Sequence, residues 1–233
     1  MVVEAHEEKK RLSLFITFEG VEGSGKTTQI RRLSRYLTRK GIPCLVTREP
    51  GGCPIAEEIR KILLNPDHRK MVPLTELLLY EAARTQHVKE VIAPFLKKEG
   101  VVISDRFADA SIAYQGYGRG VDLKLIESLN RLASEPVKEQ RIEPEVTFLL
   151  DCSPKIGLKR AIHRNQTKGQ EREGRFELEK AQFHRQVRKG YLSIAKKSLS
   201  RFKVIDTRQG KEKVFEEIRN VIDELMKKCP SKM

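Results

Sequence analysis

The chain has 233 residues, enough for one sizeable domain with a buried core, and 39% of them are apolar against 33% charged. No apolar run approaches membrane-spanning length, and no secretory pattern opens the chain. The net charge of +14 suits polyanionic partners, but lysines and arginines are spread along the chain without an aromatic-interleaved basic stripe and tryptophan is absent. Steering of small polyanions into a cleft therefore fits better than nucleic-acid binding.

Residues 1–12 are polar and charged and read as a flexible tail. A single domain follows over 13–229, with a short tail at 230–233. Five short β-like runs recur: Leu14–Phe18, Cys44–Thr47, Val101–Ser104, Val146–Leu150 and Lys203–Ile205. Most are continuously apolar, as strands covered on both faces are. Helical patterns alternate with them, which implies parallel strands joined by right-handed crossovers.

The first strand runs into Gly20-Val21-Glu22-Gly23-Ser24-Gly25-Lys26-Thr27, and a helical pattern follows with Ile30, Leu33 and Leu37 in phase. The eight residues fit G-x-x-x-x-G-K-[ST], the phosphate-binding loop of nucleoside-triphosphate enzymes, in the strand–loop–helix setting it needs. Glycines let the backbone curl so that several N–H groups and a helix N-terminus face one anion. Lys26 is then placed for the β and γ phosphates and the Thr27 hydroxyl for Mg²⁺.

Further along, Thr47-Arg48-Glu49-Pro50-Gly51-Gly52 makes a rigid turn with little side-chain bulk after the second strand. The pattern over Pro54–Leu64 puts Ile55, Ile59, Ile62 and Leu63 on one face, and Thr75–Phe95 reads as one long helix. Within it Tyr80 and Arg84 are one turn apart, either beside a flat base or packed as an ordinary core aromatic with a solvated neighbour. Asp105-Arg106-Phe107 follows the third strand. It reads as an acid for Mg²⁺ beside an arginine that clamps a phosphate, or equally as a structural ion pair. Asp122 caps a helix carrying Leu125, Ile126, Leu129 and Leu132, and Ser153-Pro154 opens the next. The charge- and glycine-rich segment from His163 to Arg175 reads as a surface loop or as a mobile cationic flap over phosphates. The last helix is striped by Val214, Ile218, Ile222 and Leu225.

Each strand ends on or next to a polar side chain: Glu19, Arg48, Asp105, Asp151, Asp206. Ligands of open parallel sheets bind beyond the carboxyl ends of the strands, so these groups and the phosphate loop share one rim. Cys44, Cys53, Cys152 and Cys229 form no C-x-x-C pair and read as reduced thiols, with Cys44 in the core.

In order and spacing, the runs Phe18–Gln29, Thr47–Gly52, Ala83–His87, Asp105–Phe107 and Ala113–Gly120 resemble the bacterial thymidylate kinases, over nearly all of Leu14–Met226. The resemblance implies a P-loop α/β fold: a five-stranded parallel sheet with helices on both faces and a mobile lid at about 163–176. It implies transfer of the ATP γ-phosphoryl group to dTMP with Mg²⁺, in a cytoplasmic homodimer. Another P-loop deoxynucleoside or nucleoside monophosphate kinase is the alternative.

By the same resemblance, Gly20 through Thr28 hold the ATP phosphates, with Lys26 catalytic and Thr27 and Asp105 toward the metal. Glu22 takes the deoxyribose 3′-hydroxyl. Arg48 and Arg106 clamp the monophosphate, with Glu49-Pro50 a cis peptide between the clamps. Tyr80 replaces the usual phenylalanine under thymine, Arg84 reads the base edge with Ser111 and Gln115, and Tyr114 crowds a ribose 2′-hydroxyl. Because position 23 is glycine, the catalytic arginine is expected from the lid: Arg164 first, then Arg172 and Arg175. Cys53 stands where threonine is usual.

Overall fold

The computed structural model describes residues 13–135, 141–168 and 174–228. The expected tails at 1–12 and 230–233, and Cys229, lie outside those residues.

Five strands, β1 (Leu14–Glu19), β2 (Cys44–Arg48), β3 (Val101–Asp105), β4 (Val146–Asp151) and β5 (Phe202–Asp206), form a parallel sheet in the order β2-β3-β1-β4-β5. β1 is central and buried along its whole length. Its alternating side chains build two cores. Leu14, Ile16 and Phe18 pack on Ile30, Leu33 and Leu37 of α1 (Lys26–Arg39) and on Val214, Ile218 and Ile222 of α9 (Lys211–Lys228). Phe15 packs on the other side against Val88, Ile92 and Phe107. Helices thus cover both faces, and the fold matches expectation.

The remaining helices are α2 (Pro54–Leu64), α3 (Pro73–His87), α4 (Ala93–Lys97), α5 (Ala108–Ser111), α6 (Leu123–Ser134), α7 (Pro154–Lys168) and α8 (Ala181–Lys197). Four local expectations change. The long helix expected over Thr75–Phe95 is interrupted by π-helical turns at Val88–Ile92, just before Pro94, which has no N–H to continue an α-helical ladder. α2 buries Ala56, Leu63 and Leu64, whereas Ile55 and Ile62 are exposed. α7 runs on to Lys168 through the start of the expected lid, because no glycine or proline breaks His163–Lys168. Cys44 is half-buried at the edge of the core rather than inside it.

Candidate active site

The phosphate loop leaves β1 at the carboxyl rim. Gly20, Gly23 and Gly25 have φ of 134°, 68° and 103°, conformations that side chains rarely adopt. A Cβ at Gly20 would also lie 2.5 Å from the Leu150 carbonyl oxygen, so the loop is wedged against β4. Lys26 opens α1 and is buried; its Nζ donates to the carbonyls of Gly20 (3.0 Å) and Val21 (3.2 Å). Burial, reinforced by repulsion from Arg106, pushes the Lys26 ammonium down to about 8. Thr27 and Thr28 are exposed beside it.

Glu22, in the same loop, meets residues from α8 and from the loop after β3. Its Oε1 accepts from the Tyr114 hydroxyl and from Arg106 at 3.0 Å, while His184 Nδ1 stands 3.7 Å from Oε2. Glu22 Oε2 is buried with no hydrogen-bond partner in the protein. Burial alone would raise the Glu22 carboxyl, but His184, Arg106, Lys26 and Tyr114 outweigh it and hold the group below the usual carboxylate range. Arg106, at φ 75°, also donates to the Gly20 carbonyl (3.0 Å) and the Tyr191 hydroxyl (2.8 Å). Here its guanidinium is therefore spread over protein acceptors rather than standing free as a clamp. Beneath it lies Glu19, fully buried, accepting from Phe107 N (2.7 Å) and Tyr191 Oη (2.6 Å). Burial lifts its carboxyl to about 7 despite Arg106.

On the β2–β3 side, Glu49-Pro50 is cis, as the resemblance implies. Glu49 is buried between Arg84 Nε (2.8 Å) and His87 Nδ1 (3.0 Å). Arg84 is buried too and further donates to Glu81, to Asn130 Oδ1 (2.7 Å) and to Ser111 Oγ (3.1 Å). It is no solvated neighbour; the protein fixes it in one pose. Arg48 is half exposed and pairs with Glu57 at 3.0–3.1 Å. Tyr80 faces Phe176, with ring centroids 6.5 Å apart, and Phe176 meets Tyr114 edge-on at 5.4 Å.

Glu22, Lys26, Arg48, Glu49, Tyr80, Arg84, Arg106, Tyr114 and Phe176 line one continuous cavity of about 1420 Å³. On the β2–β3 side it reaches Arg48, Tyr80, Arg84, Ser111, Tyr114 and Gln115; in the middle lie Lys26, Asp105 and Arg106; beyond β5 it reaches Thr207, Arg208 and Lys211. Every expected substrate residue on this list shares the space with the phosphate loop.

A family model described as thymidylate kinase matches residues 18–218. The chain belongs to the thymidylate kinase family. The thymidylate kinase of Geotalea uraniireducens is 55% identical over 199 residues, covering 85% of this chain and 91% of that protein. That of Geobacter sulfurreducens is 50% identical over 211 residues, covering 91% and 97%. The crystal structure of thymidylate kinase from Ehrlichia chaffeensis superposes with a TM-score of 0.71 at 35% identity, covering 91% of this chain and 99% of that one.

The lid arginines differ in their placement. Arg164 lies on α7, with its side chain outside the described residues, as is the whole of Arg172. Arg175 corrects expectation. It is buried, its guanidinium donating to Glu76 Oε2 (2.7 Å) and to the Leu63 carbonyl, so here it anchors the end of the segment and does not extend over the phosphates. An arginine beside a buried carboxylate and the Phe176 ring has every reason to stay there.

Sequence reading missed several cavity residues. Arg160 of α7 lines it one turn before Arg164. Thr207 and Arg208 follow β5 at the carboxyl rim, where the rule for parallel sheets would have found them. Behind the cavity wall, Glu76, Tyr191 and His184 carried no local signal; only their partners, Gln115, Arg106 and Glu22, reveal them.

Proposed function

We propose that this chain transfers the γ-phosphoryl group of ATP to dTMP, giving ADP and dTDP. One observation carries the reading: a single cavity joins the phosphate loop to a second, polar pocket on the β2–β3 side. A switch-type nucleotide-binding protein has no use for that second pocket.

The acceptor phosphate oxygen attacks the γ-phosphorus in line and ADP leaves. Little covalent work falls to the protein, which aligns the two anions and offsets developing charge. The loop from Gly20 to Thr28 holds the donor phosphates, and Lys26 turns from its own loop carbonyls to the phosphate oxygens. Arg48 and Arg106 exchange their carboxylate partners for the acceptor phosphate. Glu22 Oε2, an acceptor without a protein donor, takes the 3′-hydroxyl. Tyr80 and Phe176 flank the base, Arg84, Ser111 and Gln115 reach its edge, and Tyr114 fills the space a 2′-hydroxyl would need. Arg164 supplies the added positive charge from α7.

Thr27 and Asp105 line the cavity beside Lys26, and an alcohol with one carboxyl group would suit Mg²⁺, a hard cation commonly held through one or two such oxygen groups together with substrate phosphates. Bound there, the ion would neutralise phosphate charge.

The protein also works as a homodimer in the cytoplasm. Free thiols at Cys44, Cys53 and Cys152 suit a reducing compartment. Ile55 and Ile62 of α2, Leu74 and Leu78 of α3, and Leu125 and Leu132 of α6 are exposed on helices that contact one another in series, an apolar surface a second copy would cover. Ile126 is fully buried and belongs to the core instead. Sedimentation of the wild type as a dimer and of Leu78→Glu as a monomer would support this face; a monomeric wild type at micromolar concentration would refute it.

Coupled measurement of ADP release across the common nucleoside monophosphates tests the substrate assignment. dTMP should give the highest kcat/KM, and preference for a purine monophosphate would reject it.

A further inference from the structure

α3 presents Glu76, Tyr80 and Arg84 at successive turns of one face. Opposite stand Ser111 and Gln115, also one turn apart. The two rows are bonded in rungs: Arg84 to Ser111 at 3.1 Å, and Glu76 Oε1 to Gln115 Nε2 at 2.7 Å. Both members of the second rung are buried, Glu76 at 0% and Gln115 at 1% exposure.

The chemistry of Glu76 fixes which way the Gln115 amide points. Oε1 accepts from Gln115 and from Arg119 Nε (3.2 Å); Oε2 accepts from Arg119 Nη2 (3.1 Å) and Arg175 Nη1 (2.7 Å). Two guanidinium groups thus claim both oxygens as acceptors, and neither oxygen offers a hydrogen to a carbonyl. Only the amide NH₂ of Gln115 can face such a group. The polar atom left to the cavity, which Gln115 lines, is the acceptor Oε1.

We infer that Glu76 is a positioning residue for pyrimidine selection: it locks the Gln115 amide so that Oε1 faces the base and accepts a ring N–H. Thymine and uracil carry that hydrogen on N3. Cytosine has a lone pair there, which would meet Oε1 in repulsion. Were the amide free to turn, Gln115 would present NH₂ to cytosine equally well. The inference rests on Gln115 reading the base, as proposed above, and adds the group that gives the reading its sign. It also assigns a purpose to the anchor at Arg175, whose guanidinium takes up Glu76 Oε2 as an acceptor.

The test is steady-state kinetics of the full chain with dTMP, dUMP and dCMP. Glutamine at 76 both donates and accepts, so Glu76→Gln frees the Gln115 amide. The ratio of kcat/KM for dTMP over dCMP is expected to fall at least tenfold, through KM, with dUMP moving in step with dTMP. A parallel loss for all three substrates would mean a merely structural role and would overturn the inference. Gln115→Leu separates the two layers: if it leaves the ratio unchanged, the base-reading role itself fails. A second measurement spares Glu76 altogether. In wild-type protein labelled with ¹⁵N-glutamine, the Gln115 side-chain amide, assigned by its loss in Gln115→Leu, should be protected from solvent exchange; exchange as fast as that of exposed glutamines would also overturn the inference.

Discussion

Gly23 and Gly157 meet backbone to backbone. A Cβ at position 23 would lie 2.0 Å from the Gly157 carbonyl oxygen, and a Cβ at 157 would lie 2.3 Å from the Glu22 carbonyl oxygen. The phosphate loop and the first turn of α7 are therefore in contact through two residues that lack side chains. This contact explains why the loop itself supplies no arginine: any side chain at 23 collides with α7. It also couples the helix that carries Arg160 and Arg164 to the loop proposed to hold the phosphates. Gly157→Ala should push the two apart, at about 1–3 kcal/mol of stability. We expect kcat/KM for ATP to fall at least tenfold while KM for dTMP changes little. Kinetics with each substrate varied in turn checks this, and unchanged ATP kinetics would show that the contact is not functional.

Lys26→Ala should abolish turnover, a loss of about 3 kcal/mol or more in transition-state stabilisation. Because the free protein holds Lys26 near 8, ATP capture should weaken as pH rises through that value. Stability moves the other way. The unfolded chain binds the extra proton between about 8 and 10.5, so this group's cost is present below pH 8 and is relieved above it. A pH profile of kcat/KM for ATP without an alkaline limb would contradict the buried placement.

Glu19 gives the opposite sign in a different window. Its folded carboxyl is raised to about 7 from 4.5, so the folded chain binds more protons between those values and stability falls as pH rises through them. Glu19→Gln should flatten that slope. The difference from wild type should reach the order of 3 kcal/mol near neutrality. Urea unfolding of both proteins at pH 5 and pH 7.5 measures it, and equal pH dependence would show that Glu19 does not titrate in this range.

Arg164 and Arg175, neighbours in the expected lid, should fail in different ways. Arg164→Ala should lower kcat strongly with a modest change in nucleotide affinity; a change confined to KM would remove its catalytic role. Arg175→Ala takes a partner from a buried carboxyl group and should lower stability by about 3 kcal/mol. Thermal unfolding beside kinetics distinguishes them. A fully stable Arg175→Ala with low kcat would return Arg175 to the lid.

What the sequence revealed and what it hid follow from the range of the interactions involved. The phosphate loop is local: eight consecutive residues, with the glycines where φ must be positive. Five parallel strands followed from apolar runs alternating with helical patterns, whereas their order in the sheet did not. The partners of Glu76 could not be read, since Gln115 and Arg175 stand 39 and 99 residues away. Arg175 read with the lid for the same reason: glycine and charge around it suggest mobility, while its guanidinium answers a carboxyl group on α3. The break before Pro94 was legible in principle, since proline ends α-helical bonding. The exposed face of α2 was not, because Ile55, Ile59 and Ile62 form a good helical stripe whether a core or another copy of the chain covers it.

The central claim is that one cavity brings an ATP γ-phosphorus to a dTMP phosphate. Incubation with γ-³²P-labelled ATP, Mg²⁺ and dTMP tests it most directly. Label should appear in dTDP, in amounts matching ADP formed, and should be lost in Lys26→Ala. Release of the label only as inorganic phosphate, or its appearance on other monophosphates but not on dTMP, would contradict the account.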